Sequence, residues 1–176
     1  MVGRLRQELS KRSAFDCLEQ EAHLNIIRTA DVLHREIEAH VFAPAGLSDA
    51  QYNVLRILRG VGADGLRCGE IASRMITRDP DITRLLDRLV KRGLVHRRRD
   101  RDDRRVVRAM ITQAGLDLIA PLDAPLIDAH RRALGYLSPN DLKNLIQTLE
   151  RVREALQPDL TPESSTHQHN LQRENS

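Results

Sequence analysis

Residues 79–112, DPDITRLLDRLVKRGLVHRRRDRDDRRVVRAMIT, decide the fold of this chain. The first half of this stretch spaces its apolar residues at helical intervals. Asp79 and Pro80 are typical of an N-cap followed by a first-turn proline, and the glycine of KRG is typical of a helix end. The second half contains two short, roughly alternating runs, 94–99 and 106–112, joined by a polar connection. The stretch therefore predicts a helix followed by a β-hairpin.

The predicted helix, residues 79–92, has one apolar and one polar face. Its apolar residues fall on one side and are Ile82, Leu85, Leu86, Leu89 and Val90. The polar face suits a DNA major groove because arginine can bond both guanine acceptors. The N-terminal half of such a helix enters the groove most deeply. The residues expected to contact DNA are therefore Pro80, Asp81, Thr83, Arg84 and Arg88. The alternative is a solvated face with helical ion pairs such as Asp87–Lys91.

Arginines crowd the predicted hairpin and alternate with aspartates around its turn. The arginines are Arg97, Arg98, Arg99, Arg101, Arg104 and Arg105, and the aspartates are Asp100, Asp102 and Asp103. A projecting basic tip suits a minor groove, whose negative potential attracts arginine, and neighbouring arginines bind phosphates. DNA contacts are expected from Arg97, Arg99, Arg104 and Arg105. The alternative is an exposed loop whose charges neutralise one another.

Charge and aromatic content narrow the class of partner. The 176-residue chain has a net charge of +3, whereas residues 78–108 alone carry +6. A basic block on an otherwise mildly acidic protein indicates a polyanionic partner. Single-stranded nucleic acid is disfavoured because the chain has two Phe, two Tyr and no Trp on which bases could stack. Double-stranded DNA is the expected partner.

The rest of the sequence is mostly helical in pattern. Ser48 and Gln51 have the spacing of a capping box, and Pro121 and Pro125 are expected to bend or stagger a long helix. The predicted helices outside 79–92 are 13–42, 48–60, 69–76, 113–137 and 138–156. The expected fold class is mainly α with a small β-hairpin wing: a winged helix-turn-helix domain plus helices that pack against other helices.

The ends of the chain and its cysteines indicate the extent of the ordered domain and the cellular compartment. Residues 1–12 are expected to be flexible and residues 158–176 disordered, which leaves 13–157 as one ordered domain. The sequence has no apolar run long enough to span a bilayer and no secretory signal behind its basic N-terminus. Its two cysteines do not make a disulfide framework. We therefore expect a cytoplasmic protein without a membrane partner.

Three segments of the sequence resemble the MarR family of bacterial transcription regulators. Asp103–Thr112 resembles the family's wing signature D-x-R-x-x-x-L-x-L-T, with Ala109 and Ile111 at its leucine positions. Asp81–Val95 is similar to the family's recognition helix and its exit, and Leu47–Leu55 to its second helix. The segments occur in the family's order, and the resemblance covers nearly the whole ordered chain.

The resemblance implies a homodimer. Residues 13–45 and 113–157 would be its dimerisation helices, and residues 47–112 its winged, DNA-binding part. Asp103 and Arg105 would be the wing pair, with Arg105 in the minor groove. A two-fold dimer implies a pseudo-palindromic operator with half-sites about one helical turn apart.

The resemblance also implies a repressor that is relieved by a small anionic or phenolic effector. In the family such ligands bind between the dimer helices and the winged domain. The candidate residues for that crevice are Asn25, Arg28, Tyr52 and Arg56.

Other kinds of site are not expected. The sequence has no catalytic motif, which argues against an enzyme, and no cofactor is implied. Cys17 lies about two turns before the peroxide-sensing cysteine of some relatives, and Cys68 has the place of a small packing residue. No metal site is expected, because metal-ligand spacing is lacking among His23, His34, His40 and His130, and because His167 and His169 lie in the predicted tail. The alternative function is a protein-interaction module whose basic hairpin meets an acidic partner.

Overall fold

The computed structural model describes residues 4–77, 81–100 and 103–156. The α-helices are α1 Arg4–Glu8, α2 Leu18–Ile37, α3 Asp49–Val61, α4 Cys68–Arg74, α5 Ile82–Lys91, α6 Gln113–Ile119, α7 Asp123–Leu134 and α8 Pro139–Leu156. The strands are β1 Leu66–Arg67, β2 Val95–Arg99 and β3 Val107–Ile111. A π-helical turn, Glu38–Phe42, follows α2, and short 3-10 turns lie at Ala43–Ala45, Gly62–Asp64 and Ala120–Leu122. The prediction of a mainly helical winged helix-turn-helix fold is confirmed.

The winged part is built around one apolar core. Side chains from α3, α4, α5, α6 and the sheet are fully buried there, and the largest are Leu55, Leu58, Ile71, Leu85, Leu86, Leu89, Ile119, Val54 and Val95. The predicted apolar face of α5 therefore lies inward, with Ile82 and Val90 partly buried at its margins. Because these side chains fix the orientation of α5, its opposite face is turned to solvent.

The sheet has a strand that the sequence pattern did not predict. Within the described residues, β3 lies between β1 and β2, and both of its neighbours are antiparallel to it. β1 escapes prediction because it has two residues, too few for an alternating pattern. The turn before it depends on Gly65, since a Cβ there would lie 2.6 Å from the Ala109 carbonyl oxygen and φ is +63°.

The start of α5 differs from the prediction. The helix begins at Ile82, and its N-cap is Asp81, whose side chain accepts a hydrogen bond from the Arg84 backbone N–H at 3.3 Å. The expected cap at Asp79 with Pro80 in the first turn is therefore wrong, and both residues lie outside the described part of the chain. The sequence offers two aspartates separated by Pro80, and Asp81, the one nearer to the buried leucines, caps the helix.

The N-terminal region is also different from the expectation. Residues expected to be flexible include helix α1, in which Leu5 is 3% exposed. The first long helix starts at Leu18 rather than near Ser13, because Cys17 has an extended backbone and its Sγ accepts from the Gln20 N–H at 3.4 Å. The predicted disordered tail lies outside the described residues.

The C-terminal half follows the predicted pattern with one division. The long helix expected over 113–137 is split into α6 and α7 by the 3-10 turn that contains Pro121. Pro125 lies in the first turn of α7, where its missing N–H costs no helical hydrogen bond. Ser138 precedes α8, and its Oγ accepts from the Asp141 N–H at 3.2 Å.

The described residues fall into two compact units, one up to Arg131 and one from Arg132 onward. Within the first unit, α2 buries none of its side chains and exposes apolar ones, namely Leu18, Ile26, Ile27 and Val32. In the second unit, α8 likewise exposes Leu145, Ile146, Val152 and Leu156. None of the helices in the described ranges combines the length and apolar content needed to cross a bilayer.

Candidate nucleic-acid interface

The outward face of α5 is basic and accessible. Thr83, Arg84, Arg88 and Lys91 are all exposed on it. The Arg84 side chain is 83% exposed, and its Nε lies 3.2 Å from Asp81 Oδ2. Within the described residues, Arg88 and Lys91 have no side-chain hydrogen bond or ion pair. The face therefore offers cationic donors to solvent.

An ion pair joins α5 to the hairpin of β2 and β3, which we call the wing. Arg97 on β2 donates through Nη1 to Asp87 Oδ1 at 2.6 Å. The helical Asp87–Lys91 pair does not form among the described residues, where Asp87 is paired with Arg97 instead. Asp81 and Arg84, however, do form a helical ion pair. Arg97 was expected to contact DNA; the structure gives it a second task, which is to hold the wing against α5.

The tip of the wing is shaped by Asp103. Its Oδ1 accepts from the Arg105 N–H at 2.9 Å, and its carbonyl oxygen accepts from the Val106 N–H at 2.9 Å. Such a side-chain bond to the backbone two residues on is typical of an Asx turn. Arg104 and Arg105 follow within this turn, and both are exposed without a side-chain partner in the described ranges. Arg99, at the end of β2, is exposed in the same way.

Arg108 is a structural residue of the wing that the sequence did not single out. Its Nε donates to Asp100 Oδ2, and its Nη1 lies 3.4 Å from the Gly65 carbonyl oxygen, beside β1. The hydrogen bond that Arg108 donates to the Asp100 carboxylate raises the pKa of the Arg108 guanidinium. The signal was an aspartate just after one strand and an arginine in the facing strand, a pairing that depends on the register Arg99–Val107 and Arg98–Arg108.

The four candidate effector residues lie in two places. Asn25 and Arg28 are exposed on α2, where Asn25 Nδ2 donates to the Glu21 carbonyl at 2.9 Å and Arg28 Nε lies 3.9 Å from Glu8 Oε2. Tyr52 and Arg56 are one turn apart on α3. No hydrogen bond or ion pair among the described residues joins the two pairs.

Tyr52 is buried near the N-terminal end of α3. Its ring is stacked on Phe42 with centroids 4.4 Å apart. Burial, with a further contribution from Asp123, raises the pKa of the Tyr52 hydroxyl. Arg59 donates to both carboxylate oxygens of Asp123 at 2.9 Å, which joins α3 to α7 in a fork geometry.

Asn53 is a buried polar residue that the sequence analysis missed. It is 2% exposed, and its Oδ1 accepts from Arg56 Nη2 at 3.1 Å. Because arginine can only donate, the atom facing Arg56 must be the amide oxygen. The Asn53 Nδ2 donor then has no hydrogen-bond partner in the described part of the structure. The sequence signal that could have identified Asn53 was an amide side chain between buried positions of an amphipathic helix.

Both cysteines and two of the histidines contact polar groups of the protein itself. Cys17 caps α2, and the half-buried Cys68 places its Sγ 3.7 Å from Thr83 Oγ1. His34 lies 3.4 Å from Glu38, and His40 lies 3.5 Å from Glu36. Over residues 4–77, 81–100 and 103–156, no group of three or more His, Cys, Asp or Glu side chains is arranged to hold a metal ion. His167 and His169 lie outside these ranges.

The sequence and the fold of this chain are both similar to those of one known protein family. The MarR family model matches residues 47–107, from the start of α3 into β3. A MarR transcription factor from Planctomyces limnophilus is 45% identical, with 77% of this chain and 98% of that chain covered and a TM-score of 0.59. Sco3205 from Streptomyces coelicolor, a MarR family regulator solved in complex with DNA, is 28% identical, with 86% and 96% covered and a TM-score of 0.71.

A further similar structure was solved with a small molecule. CouR from Rhodococcus jostii RHA1, bound to p-coumaroyl-CoA, is 26% identical, with 78% of this chain and 95% of that chain covered and a TM-score of 0.65. The winged fold, the family match over its core and the 45% identical relative agree with one another. The chain therefore belongs to the MarR family of transcriptional regulators.

Proposed function

We propose that this protein is a sequence-specific duplex-DNA-binding regulator that acts as a homodimer, and that it is a repressor relieved by a small effector. The observation that carries the proposal is the Arg97–Asp87 ion pair at 2.6 Å. This ion pair couples two basic elements, α5 and the wing, so that both can contact one duplex in a fixed relative orientation.

On DNA, α5 would lie in the major groove. Thr83 and Arg84 are near its N-terminal end and exposed, which suits contacts with base edges. Arg88, one turn further on, would contact a base edge or a phosphate. Pro80 and Asp81 precede the helix, and Asp81 would act by aligning Arg84, whose Nε is 3.2 Å away.

The wing would contact the adjacent minor groove and backbone. Arg105 follows Asp103 in the tip, and Asp103 would serve the DNA site by fixing this turn through its bond from the Arg105 N–H. Arg99 and Arg104 would bind phosphates on either side. The complex of Sco3205 with DNA supports DNA as the partner of this chain.

Homodimer formation is supported by apolar side chains that the single chain leaves exposed. On α2, Ile27 is 52% exposed, and on α8, Ile146 is 53% exposed. Covering such side chains by a second copy removes apolar surface from water, which is worth about 25 cal/mol per Å². A two-fold dimer would present two copies of α5 to successive turns of one DNA face.

The effector would bind near Asn53, Tyr52 and Arg56 on α3, with Asn25 and Arg28 contributed by α2. The unpartnered Nδ2 of Asn53 favours a ligand with an acceptor oxygen, because a buried donor without a partner costs free energy. Arg56 favours an anion. The p-coumaroyl-CoA complex of CouR supports a ligand of this broad type. Binding would change the spacing of the two α5 helices and so weaken the fit to the operator.

Selection from a random duplex pool at about 150 mM salt, where non-specific binding is partly suppressed, tests the proposal. We expect enrichment of a pseudo-palindrome with half-sites about one helical turn apart. Sequence-independent binding would contradict specific recognition. Absence of binding, together with capture of an acidic protein, would favour the protein-interaction module instead.

A further inference from the structure

Arg92 connects the end of α5 to a distant loop. It follows Lys91 as the C-cap of the helix, and its Nη1 donates to the Gly46 carbonyl oxygen at 2.8 Å. The same nitrogen lies 3.3 Å from Gln51 Oε1. These contacts cross 46 and 41 residues of sequence. The recognition helix is therefore linked to the segment that leads into α3.

This segment, residues 43–48, joins the end of the α2 region to the winged part, and we call it the junction. The chain turns at Gly46, which has a left-handed φ of +66°. Ser48 then caps α3, and Gln51 Oε1 accepts from the Ser48 N–H at 3.1 Å. Gln51 is thus shared between the capping box of α3 and Arg92. Both partners of Arg92 are oxygen atoms of the junction or of the cap that follows it.

The contact is geometric rather than an ion pair. Among the described residues, Arg92 has no carboxylate partner, and its guanidinium is exposed. One nitrogen, Nη1, reaches both oxygen acceptors and is held in place by the rigid plane of the guanidinium, which the flexible ammonium of a lysine lacks. The neighbouring Lys91 has a similar place and charge but no hydrogen bond or ion pair in the described ranges. Variants of Arg92 and Lys91 therefore distinguish an effect of hydrogen-bond geometry from an effect of charge alone.

We propose that Arg92 is a positioning residue that fixes the angle between α5 and the junction, and thereby sets the half-site spacing that the dimer accepts. This inference rests on the proposed function. If α2 belongs to the dimer interface, any bend at the junction moves α5 relative to its symmetry mate. Arg92 spans that joint from the C-terminal end of α5, through its hydrogen bonds to Gly46 and Gln51.

The test uses duplexes that carry two selected half-sites at the preferred spacing and at one base pair more or less. Affinities of the full-length protein are compared for wild type, Arg92→Ala, Arg92→Lys and Lys91→Ala. In Arg92→Ala, we expect the affinity ratio between preferred and altered spacing to fall by about three- to tenfold, the effect of losing one ordinary hydrogen bond at an exposed site.

The other variants provide the controls. Lys91→Ala should weaken binding at every spacing alike, because it removes charge only. Arg92→Lys keeps the charge and loses the planar guanidinium that holds Nη1 between its two acceptors, so its overall affinity should stay near wild type while its spacing ratio falls. Gln51→Glu keeps the capping-box chemistry and gives Arg92 a carboxylate partner, so it should preserve or sharpen the ratio.

The outcomes distinguish this inference from the function on which it rests. An unchanged spacing ratio in Arg92→Ala overturns it, even if the melting temperature falls, because a merely structural residue would lower stability without changing the ratio. Wild-type protein that binds its half-sites without any spacing preference also overturns it and leaves DNA binding intact. If wild-type protein recognises no duplex specifically, the proposed function fails, and this inference fails with it.

Discussion

Replacing Asp87 by asparagine breaks the link between α5 and the wing with a nearly isosteric side chain. The Asp87 and Arg97 side chains are 45% and 35% exposed, so solvent screens the pair. We expect the free energy of unfolding to fall by about 0.5–1 kcal/mol, the range of partly exposed ion pairs rather than that of buried ones.

Although Asp87→Asn should lower stability, it should raise the affinity for DNA that contains no operator. Asp87→Asn removes a negative charge from the proposed DNA-facing surface and releases Arg97 toward phosphates. Non-specific affinity should therefore rise, by about fivefold at moderate salt for one additional phosphate contact. Discrimination in favour of the operator should fall, because the wing is no longer held in place. In Arg97→Gln, by contrast, both stability and non-specific affinity should fall.

A double-mutant cycle measures the coupling. Urea unfolding of wild type, Asp87→Asn, Arg97→Gln and the double variant gives the interaction energy, and fluorescence anisotropy with a scrambled duplex gives the non-specific affinity. A coupling below about 0.3 kcal/mol, within the error of additivity, would refute the structural link. Weaker non-specific binding by Asp87→Asn would refute the placement of this face against DNA.

Three further predictions concern the interface, the sheet and the dimer. Arg84→Ala and Arg105→Ala should each weaken operator binding by about 1–3 kcal/mol in anisotropy titrations while the dimer stays intact, and wild-type affinity in both would refute the site assignment. Gly65→Ala should lower the free energy of unfolding by at least about 1 kcal/mol in urea, because the Cβ would lie 2.6 Å from the Ala109 carbonyl and φ is +63°; unchanged stability would contradict the close approach of β1 to β3. Ile27→Glu should give monomers in sedimentation velocity, because a charge would be buried in the proposed interface, whereas an unchanged dimer would place the interface elsewhere.

Much of the architecture could be predicted because local signals agreed with the tertiary fold. The leucines of α5 have helical spacing and are buried, and Ser48 with Gln51 forms the capping box that their spacing predicts. The hairpin was visible from its alternating runs and polar turn. These features depend on residues near one another in sequence, where pattern and propensity are most informative.

The features that escaped prediction depend on contacts distant in sequence or on competition between neighbours. The Arg97–Asp87 pair and the Arg108 contacts exist only once the wing has its register against α5 and β1. The start of α5 was displaced because Asp81, rather than Asp79, caps it. Asn53 has no partner in its own helix for its Nδ2, so only the packed structure identifies it as unusual.

Specific recognition of duplex DNA by α5 and the wing can be tested by a single salt titration. Affinities for the selected operator and for a scrambled duplex of equal length are measured across a range of salt concentrations. We expect the logarithm of both affinities to fall steeply with the logarithm of the salt concentration, with the operator bound about a thousandfold or more tightly at physiological salt. Equal affinities for the two duplexes at every salt concentration would contradict it.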